Sequence, residues 1–372
     1  MQSIRNNFSL NIILYIFCTI ASTALSLSAS TANQADPKVR PSIIWDSVSH
    51  PTFKNHYIYR ITLADTTVKR PVVLFCHGIG ATSPIVYQAL LEHIARRGYS
   101  VFYSPFPSAQ AMALPELAYS IMWQGFTVAA HQWGKSIDST RIGVVGHSFG
   151  GGAVPAIAYK SLTGLQWGQE SCFLYSMAPW FCHGISSQEL ASFPRHCIAA
   201  IQVFEDDLIN DHRMAIDIYK NIGIPASQKT FSLIHSSLAT SIPLIADHNA
   251  PCGTNQTGVN KIDSLTIYQQ FDDLADSSSI GTERLHNTST LDTVIGAQSY
   301  YELYILGNRA FKVPVQQAPK PIRASSAYIN FWSHSQNPRT ILAKKSGRAS
   351  QFLLYTPVTI LNYCLAIDQR LR

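Results

Sequence analysis

The amino-acid sequence predicts an α/β fold, in which a mostly parallel sheet carries helices on both faces. From Val72 onward, short apolar segments alternate with longer segments whose apolar residues recur at helical spacing. The short segments are continuously apolar, which indicates strands that are covered on both faces. Single helices between successive strands favour parallel pairing through right-handed crossovers.

Each element is predicted from its own residues. An antiparallel hairpin at the sheet edge is expected within residues 43–63. The next helix starts with Ser83 as its cap and Pro84 in its first turn, and Gly98 ends it. The later strands are predicted at Val72–Cys76, Tyr99–Ser104, Ile142–Val145, Cys172–Met177, Cys197–Phe204 and Thr230–Ile234, and the later helices at 117–133, after Ser148, at 214–222 and at 261–274. Tyr300–Leu306 fits either a helix or a strand.

The composition of the chain excludes several classes of function. The chain has 372 residues, of which 46% are hydrophobic and 13% charged, so it can bury a large core. Its formal net charge of +6 includes no long basic block, and we expect no nucleic-acid partner. The sequence contains no Walker A loop, dinucleotide fingerprint, paired Cys-x-x-Cys or His-Glu-x-x-His. We therefore expect no metal site.

The N-terminus predicts export. Arg5 precedes an apolar stretch, Leu10–Leu27, and small residues follow at 28–32. This is the layout of a secretory signal peptide, here residues 1–30, with cleavage near Ala29 to Ala32. An uncleaved membrane anchor is the alternative, because the stretch has nearly the length of a membrane span. We expect a secreted or periplasmic protein.

Cleavage of the leader removes Cys18 and leaves an even number of cysteines. An even number in an exported protein permits disulfides, but the sequence does not determine their pairing. Cys76 lies in an apolar strand and is expected to be a buried free thiol. The remaining cysteines are Cys172, Cys182, Cys197, Cys252 and Cys364.

The run RIGVVGHSFGGG, residues 141–152, leads from a predicted strand straight into a predicted helix. A serine at such a corner is forced into a tight turn, and the flanking glycines leave space that a Cβ would fill. A serine hydroxyl is a weak nucleophile, so it needs a base, an orienting acid and N–H groups for the oxyanion. We predict Ser148 as the nucleophile.

The oxyanion donors are predicted at two strand ends. The segment LFCHGIG, residues 74–80, ends a strand in a glycine-rich turn at the ligand-binding edge of the sheet. We expect the N–H of Ile79 to be one donor, with Gly80 as the alternative. The N–H of Phe149, directly after the serine, is the second. His77 is expected to brace the turn.

The acid and the base are predicted downstream of Ser148. The acidic cluster in VFEDDLIND, residues 203–211, follows a buried strand and so lies at the same edge of the sheet. Asp207 fits the orienting acid best, and Asp206 is the alternative. His248, in a loop held by a proline turn, is the predicted base. His235, directly after the strand ending at Ile234, is the other candidate.

These motifs together resemble the α/β-hydrolase superfamily, whose triad runs Ser, Asp, His along the chain. The residues concerned are FCHGIG (75–80), GHSFG (146–150), Asp207 and His248. GHSFGGG and ADHNAP (246–251) resemble the branch of chlorophyllases, platelet-activating-factor acetylhydrolase-like enzymes and dienelactone-hydrolase-like esterases. No glycine precedes either candidate histidine, where many members have one. The resemblance covers about residues 40–275 and implies a serine esterase that needs no cofactor.

The predicted domains follow from this coverage. Residues 31–275 form the catalytic domain, and residues 276–372 are a C-terminal extension that matches no known pattern. Within it, Gln351–Ile367 is apolar but contains Pro357 and Asn362, so it is too short and broken for a membrane span. A docked helix is expected there, and contact with a membrane surface is the alternative.

The segment between two predicted strands, residues 178–196, is too short to form a helical cap domain. Its length therefore limits the size of substrate that we expect. Trp180 and Phe181 in this segment are expected either beside the acyl pocket or in ordinary core packing. An open, aromatic-lined crevice suits small-molecule esters or lipids with short or medium acyl chains. Two other functions remain open: a non-catalytic binding protein with this fold, and a serine peptidase.

Overall fold

The computed structural model describes residues 41–65, 67–238, 242–278, 299–321 and 323–339. Their strands form a ten-stranded sheet in the order β1-β2-β4-β3-β5-β6-β7-β8-β9-β10. The strands are β1 Ile43–Ser49, β2 Tyr57–Leu63, β3 Arg70–Cys76, β4 Ser100–Tyr103, β5 Ile137–His147, β6 Ser171–Met177, β7 Cys197–Phe204, β8 Lys229–Ile234, β9 Tyr300–Leu306 and β10 Arg309–Val315.

Helices connect the parallel strands. They are α1 Gln88–Arg96, α2 Ser108–Ala111, α3 Pro115–Trp133, α4 Phe149–Gly164, α5 Ser187–Ala191, α6 His212–Asn221 and α7 Tyr268–Ser278. The helix predicted to start at Ser83 begins as a 3-10 turn, Pro84–Tyr87, before it becomes α1. Gly98 adopts a φ of +93°, which suits glycine at a helix end.

The sheet is mixed, with its antiparallel pairs at the edges. From β4 through β3 and then β5 to β9 all neighbouring strands are parallel. At one edge β1 and β2 form the predicted antiparallel hairpin, and β2 pairs antiparallel with β4. At the other edge β10 pairs antiparallel with β9. The predicted α/β architecture is confirmed.

Helices cover both faces of the sheet, as the continuously apolar strands indicated. Successive residues of a strand point to opposite faces. Val144 therefore packs with α3, α4 and α6, whereas Val145 packs with α1 and α7. Both valines are fully buried. The sheet is thus a rigid base, and its carboxyl edge carries the polar loops described below.

Part of the predicted C-terminal extension continues this sheet. The segment Tyr300–Leu306, which the sequence left open between helix and strand, is β9. It pairs in parallel with β8, and β10 follows it. The predicted domain boundary at residue 275 falls inside α7 and before these two strands. Residues Tyr300–Leu306 and Arg309–Val315 of the predicted extension are therefore part of the same sheet as the strands before residue 275.

Several sequence predictions concern residues beyond this description. The predicted signal peptide, residues 1–30, and the apolar segment Gln351–Ile367 lie outside the described residues, as do Cys18 and Cys364. No helix among the described residues has the length and apolar character needed to cross a membrane. The cysteines of the described chain are free thiols, namely Cys76, Cys172, Cys182, Cys197 and Cys252. Cys76 is buried, as predicted.

Asp263 is a buried carboxyl at the start of the π-helical turn, Asp263–Ile267, that leads into α7. Its Oδ2 accepts a hydrogen bond of 2.7 Å from the N–H of Asn260. Burial raises the pKa of Asp263 to about 7, although backbone hydrogen bonds act in the opposite direction. The folded protein therefore holds a proton that the unfolded chain releases near pH 4.

We expect Asp263→Asn to stabilise the protein more at pH 8 than at pH 5. A carboxyl whose pKa is raised by folding contributes stability that is fully present below its unfolded pKa and is lost as the pH rises through about 7. The amide still accepts from Asn260 and never ionises. Thermal unfolding at both pH values should show a gain in Tm that is larger at pH 8 by about 5 °C. Equal shifts at both pH values would contradict the prediction.

Candidate active site

Ser148 occupies a sharp corner between β5 and α4. Its φ of 58° and ψ of −123° place a non-glycine residue in a strained backbone region. Two backbone hydrogen bonds of 2.9 Å hold the corner: the N–H of Ser148 donates to the carbonyl of Met177, and the N–H of Trp180 donates to the carbonyl of Ser148. The neighbouring strand β6 and the segment after it thus fix the serine at the carboxyl edge of the sheet.

Close backbone approach explains the glycines on both sides of Ser148. A Cβ on Gly150 would lie 2.0 Å from the carbonyl oxygen of Cys76 and 2.5 Å from that of His77. A Cβ on Gly146 would lie 2.5 Å from the carbonyl oxygen of Gly150. The corner therefore requires glycine at both positions, and α4 begins directly against the end of β3.

We expect Gly150→Ala to destabilise the fold strongly, because the contacted atoms belong to the backbone and cannot rotate away. Overpacking of this kind costs about 3 kcal/mol or more in the free energy of unfolding. Gly164→Ala at the end of α4 is the matched control, since a Cβ there meets nothing within 4 Å. Urea unfolding should show a large loss for the first variant and no loss for the second. Similar stabilities would contradict the packing described here.

Three predicted side chains meet at this corner. The Nε2 atom of His248 lies 2.9 Å from the Oγ of Ser148. The Nδ1 atom of His248 lies 2.8 Å from Oδ2 of Asp207. An ionised carboxylate only accepts hydrogen bonds, so Nδ1 carries the proton and Nε2 is free to accept the Ser148 hydroxyl proton. The three side chains that the sequence predicts as nucleophile, base and acid are thus hydrogen-bonded in series.

The loop after β7 holds Asp207 in place. The second oxygen of its carboxylate, Oδ1, accepts the N–H groups of Ile209 at 2.7 Å and Asn210 at 3.0 Å. The Asn210 side chain in turn donates to the carbonyl of Ala178 at 2.9 Å. Asp207 is fully buried, and all its polar contacts come from within the protein. These bonds leave Oδ2 directed at His248.

Asp206, the alternative acid, is engaged elsewhere. Its carboxylate accepts hydrogen bonds from the Ser236 hydroxyl at 2.5 Å and from Arg323 at 2.7 Å. Burial acts to raise the pKa of Asp206, but these two partners outweigh it and hold the pKa below its usual value. The structure does not bring Asp206 to either candidate histidine.

His235, the alternative base, lies in a separate cluster. Its Nδ1 is 3.2 Å from Glu205 and its Nε2 is 3.5 Å from Glu302. Its ring stacks on Tyr304 with the ring centres 4.2 Å apart. It makes no contact with Ser148 among those that the structure records. Of the two histidines that the sequence left open, only His248 meets the serine.

The turn after β3 leaves one N–H group available. The N–H of Gly78 donates to the Tyr87 hydroxyl at 3.1 Å, and that of Gly80 donates to the Ser108 hydroxyl at 2.9 Å. Within the described part of the chain, the N–H groups of Ile79 and Phe149 have no acceptor. The geometry thus favours Ile79 over Gly80 as the partner of Phe149 in an oxyanion hole.

His77 is part of the wall of the turn. Its ring stacks between Tyr103 and Phe106, at 5.0 and 4.3 Å between ring centres, and its Nδ1 lies 2.8 Å from the carbonyl oxygen of Gly78. Burial lowers the pKa of His77 to about 4. A neutral, stacked imidazole bonded to the turn itself supports the turn, as the sequence predicted.

Trp180 and Phe181 are both buried behind the serine corner. The indole ring of Trp180 stacks on Phe149, with 5.3 Å between ring centres, and Phe181 packs against Trp332. Both residues belong to the hydrophobic cluster around α3 and α4. The structure thus supports their packing role, and a role in the acyl pocket stays a prediction.

Sequence reasoning missed three residues that support the site. Ser108 binds Gly80, as described above. Tyr87 and His147 hydrogen-bond to each other, with 2.8 Å between the Tyr87 hydroxyl and Nδ1 of His147. His147 lies inside the serine motif, but no spacing in the sequence pairs it with Tyr87. In the described part of the chain, no group of three or more His, Cys, Asp or Glu side chains is arranged to hold a metal ion.

Comparison with known proteins gives structural similarity alone. No family model and no curated protein sequence matches the chain. Carboxyl esterase 2 from Tuber melanosporum is 16% identical, with 71% of this chain and 97% of that chain covered and a TM-score of 0.46. A mutant of esterase rPPE is 14% identical, with 71% and 87% covered and a TM-score of 0.45. Esterase Est22 with p-nitrophenol is 16% identical, with 53% and 73% covered and a TM-score of 0.37.

The strand order and the serine corner identify the architecture without reference to these similarities. The order β1-β2-β4-β3-β5-β6-β7-β8, with a serine in a strained turn between β5 and α4, places the nucleophile at the carboxyl edge of the sheet. Asp207 follows β7, and His248 lies in the segment after β8. The chain has the fold of the α/β-hydrolase superfamily.

Proposed function

We propose that the protein is a carboxylic ester hydrolase that acts through Ser148, His248 and Asp207. The observation that carries this proposal is the pair of hydrogen bonds at 2.9 and 2.8 Å that join the three side chains in series. The unpaired N–H groups of Ile79 and Phe149 supply the two hydrogen-bond donors that an oxyanion hole requires. Each role in a serine hydrolase mechanism thus has an occupant in this site.

In the acylation half-reaction, the Ser148 Oγ attacks the ester carbonyl while its proton passes to Nε2 of His248. The carbonyl oxygen becomes an oxyanion, which accepts hydrogen bonds from Ile79 and Phe149. Asp207 keeps the imidazole in the required tautomer and stabilises the imidazolium. When the carbon–oxygen bond of the ester breaks, the leaving alcohol takes the proton from His248.

In the deacylation half-reaction, water takes the place of the alcohol. His248 accepts a proton from this water, and the resulting oxygen nucleophile attacks the acyl-enzyme carbonyl. Collapse of the second oxyanion breaks the bond to Ser148, and Nε2 returns its proton to the serine Oγ. The acid leaves, so the cycle consumes one ester and one water and needs no cofactor.

The structure around the site is consistent with small ester substrates. The segment between β6 and β7 contains only α5, a helix of five residues, and thus no helical cap domain. We infer a preference for small-molecule or lipid esters with short or medium acyl chains. The resemblance to chlorophyllases, platelet-activating-factor acetylhydrolase-like enzymes and dienelactone-hydrolase-like esterases stays part of this proposal.

Labelling with a fluorophosphonate probe tests the nucleophile. We expect the protein to be labelled, and Ser148→Ala to lose both labelling and hydrolysis of p-nitrophenyl esters. Ser108→Ala is a matched control, because Ser108 contacts the oxyanion turn through Gly80 but is not the proposed nucleophile. Labelling that persists in Ser148→Ala would end the proposal. Absence of labelling and turnover in the intact protein would favour the non-catalytic binding protein.

We further propose that the protein is exported. The predicted leader, with Arg5 before an apolar stretch and small residues after it, supports this proposal. Mass spectrometry of the N-terminus after expression in a secreting host tests it. A mature chain that begins near residues 30–33 is expected, whereas an intact N-terminus in the membrane fraction would indicate the uncleaved anchor.

A further inference from the structure

A buried tyrosine and a buried histidine join the two halves of the site. Tyr87 is 1% exposed and His147 is 2% exposed, so neither side chain has access to solvent or substrate. The Tyr87 hydroxyl lies 3.1 Å from the N–H of Gly78 and 2.8 Å from Nδ1 of His147. On the other side of the ring, Nε2 of His147 lies 2.8 Å from the carbonyl oxygen of His248.

These hydrogen bonds form a series that runs from Gly78 through Tyr87 and His147 to His248. The backbone groups at its two ends determine which atom donates in each bond. The carbonyl of His248 can only accept, so Nε2 of His147 carries a proton. Burial, and then the proximity of His248, hold the pKa of His147 well below its usual range, so the ring is neutral and Nδ1 is an acceptor. The Tyr87 hydroxyl therefore donates to Nδ1 and accepts from the N–H of Gly78.

The two ends of the series are the two loops on which the mechanism depends. Gly78 begins the turn that presents Ile79, and a Cβ on Gly78 would lie 3.2 Å from the Ser148 Cβ. His248, the proposed base, lies on the second loop. The segment that contains Tyr87 also anchors the far end of the base loop, since Gly253 exchanges backbone hydrogen bonds with Val86 and Ala89 at 2.9 and 3.1 Å.

We propose that Tyr87 and His147 are positioning residues, whose hydrogen bonds fix the oxyanion turn and the His248 loop relative to Ser148. This inference rests on the proposed function. Neither residue hydrogen-bonds to the Ser148 hydroxyl or to the His248 ring, although the rings of His147 and His248 lie 4.8 Å apart between centres, so their loss should impair the transition state more than substrate binding. Loss of one partner also leaves a buried polar group unpaired, which adds to the displacement of the loops.

The test compares kcat and KM for p-nitrophenyl butyrate among four variants. Tyr87→Phe removes the hydroxyl, and with it the hydrogen bonds to Gly78 and His147 and the hydrogen bond to the Cys252 thiol. In His147→Asn the amide reaches about the position of Nδ1, so the bond to His248 is lost. In His147→Gln the amide reaches about the position of Nε2 and can still donate to that carbonyl. Tyr175→Phe is the matched control, because this buried tyrosine bonds to Gln202 at 2.7 Å, away from the series.

We expect Tyr87→Phe and His147→Asn to lower kcat about tenfold with KM within about twofold of the original value. His147→Gln should lose less than His147→Asn, and Tyr175→Phe should be unchanged. A purely structural role would not produce this rescue by glutamine. Unchanged kcat in both Tyr87→Phe and His147→Asn, or equal losses in His147→Gln and His147→Asn, would overturn the proposal.

Hydrogen exchange separates this inference from the proposed function. In Tyr87→Phe we expect faster amide exchange in residues 78–80 and 247–253 and no change elsewhere in the sheet, whereas Tyr175→Phe should leave both loops unaffected. This measurement does not depend on catalysis. If Ser148→Ala hydrolyses esters as well as the unmodified protein, the proposed function fails, and exchange in the two loops still decides the role of Tyr87 and His147.

Discussion

Replacement of His248 by alanine is expected to lower kcat by about 10⁵- to 10⁶-fold, the largest effect of any single substitution outside Ser148. In the residues that the structure describes, His248 supplies the hydrogen bond to the Ser148 Oγ, at 2.9 Å from its Nε2, and without the imidazole no other described base takes its place. The Ser148 hydroxyl must then attack without help from a base, and a hydroxyl is a weak nucleophile because its pKa is high. Steady-state hydrolysis of p-nitrophenyl esters measures the effect.

His235→Ala is the matched control for this substitution. Both histidines lie in the segment that follows β8, and both contact carboxylates. His235, however, contacts Glu205 and Glu302 and not Asp207. We expect His235→Ala to keep kcat within about threefold of the original value. A large loss in His235→Ala together with activity in His248→Ala would reverse the assignment of the base.

The second large effect is expected for Asp207→Asn, which should lower kcat about 10⁴-fold. The Ile209 and Asn210 N–H groups continue to hold the side-chain oxygen, so the amide nitrogen faces His248. An amide N–H donates to Nδ1, which forces the proton onto Nε2. The imidazole is then in the wrong tautomer to accept from Ser148.

Asp206→Asn is the matched control, since the residue is adjacent in sequence and also carries a carboxylate. Its partners are Ser236 and Arg323, so its loss should alter stability and leave kcat within about fivefold of the original value. Steady-state hydrolysis of p-nitrophenyl esters by the two variants measures the difference. Comparable losses of kcat in the two variants would refute the assignment of Asp207.

Local patterns predict the fold and the serine corner because most of their causes lie within one element or turn. Continuous apolar strands such as Val72–Cys76 require cover on both faces, and that requirement alone indicates a parallel sheet between helices. The glycines around Ser148 reflect close backbone approach, which at Gly146 lies within the corner itself and at Gly150 involves the end of β3, far away in the chain.

The structure was needed to choose between candidate acids and bases that lie far from Ser148 in the sequence. His235 and His248 both follow β8, and Asp206 and Asp207 both follow β7, so sequence order does not separate them. The separation arises from the loops: the carbonyl of Ala246 accepts the N–H of Asp206 at 2.8 Å, which brings the base loop back over the acid loop. A contact between two loops leaves no periodic signal in the chain.

The sequence by itself determined the α/β architecture, the serine corner and the strand ends from which the acid, the base and the oxyanion donors come. These features leave a signal in the sequence because hydrophobic periodicity and runs of glycine are visible within one segment, even where the contact that requires the glycine comes from another strand. Only the tertiary structure decided that His248 and Asp207, and not His235 and Asp206, are hydrogen-bonded in series with Ser148, that β9 and β10 extend the sheet, and that Tyr87 and His147 connect the two loops. Those features depend on hydrogen bonds and strand pairings between residues far apart in the chain, whose directions are fixed only when the loops have packed together.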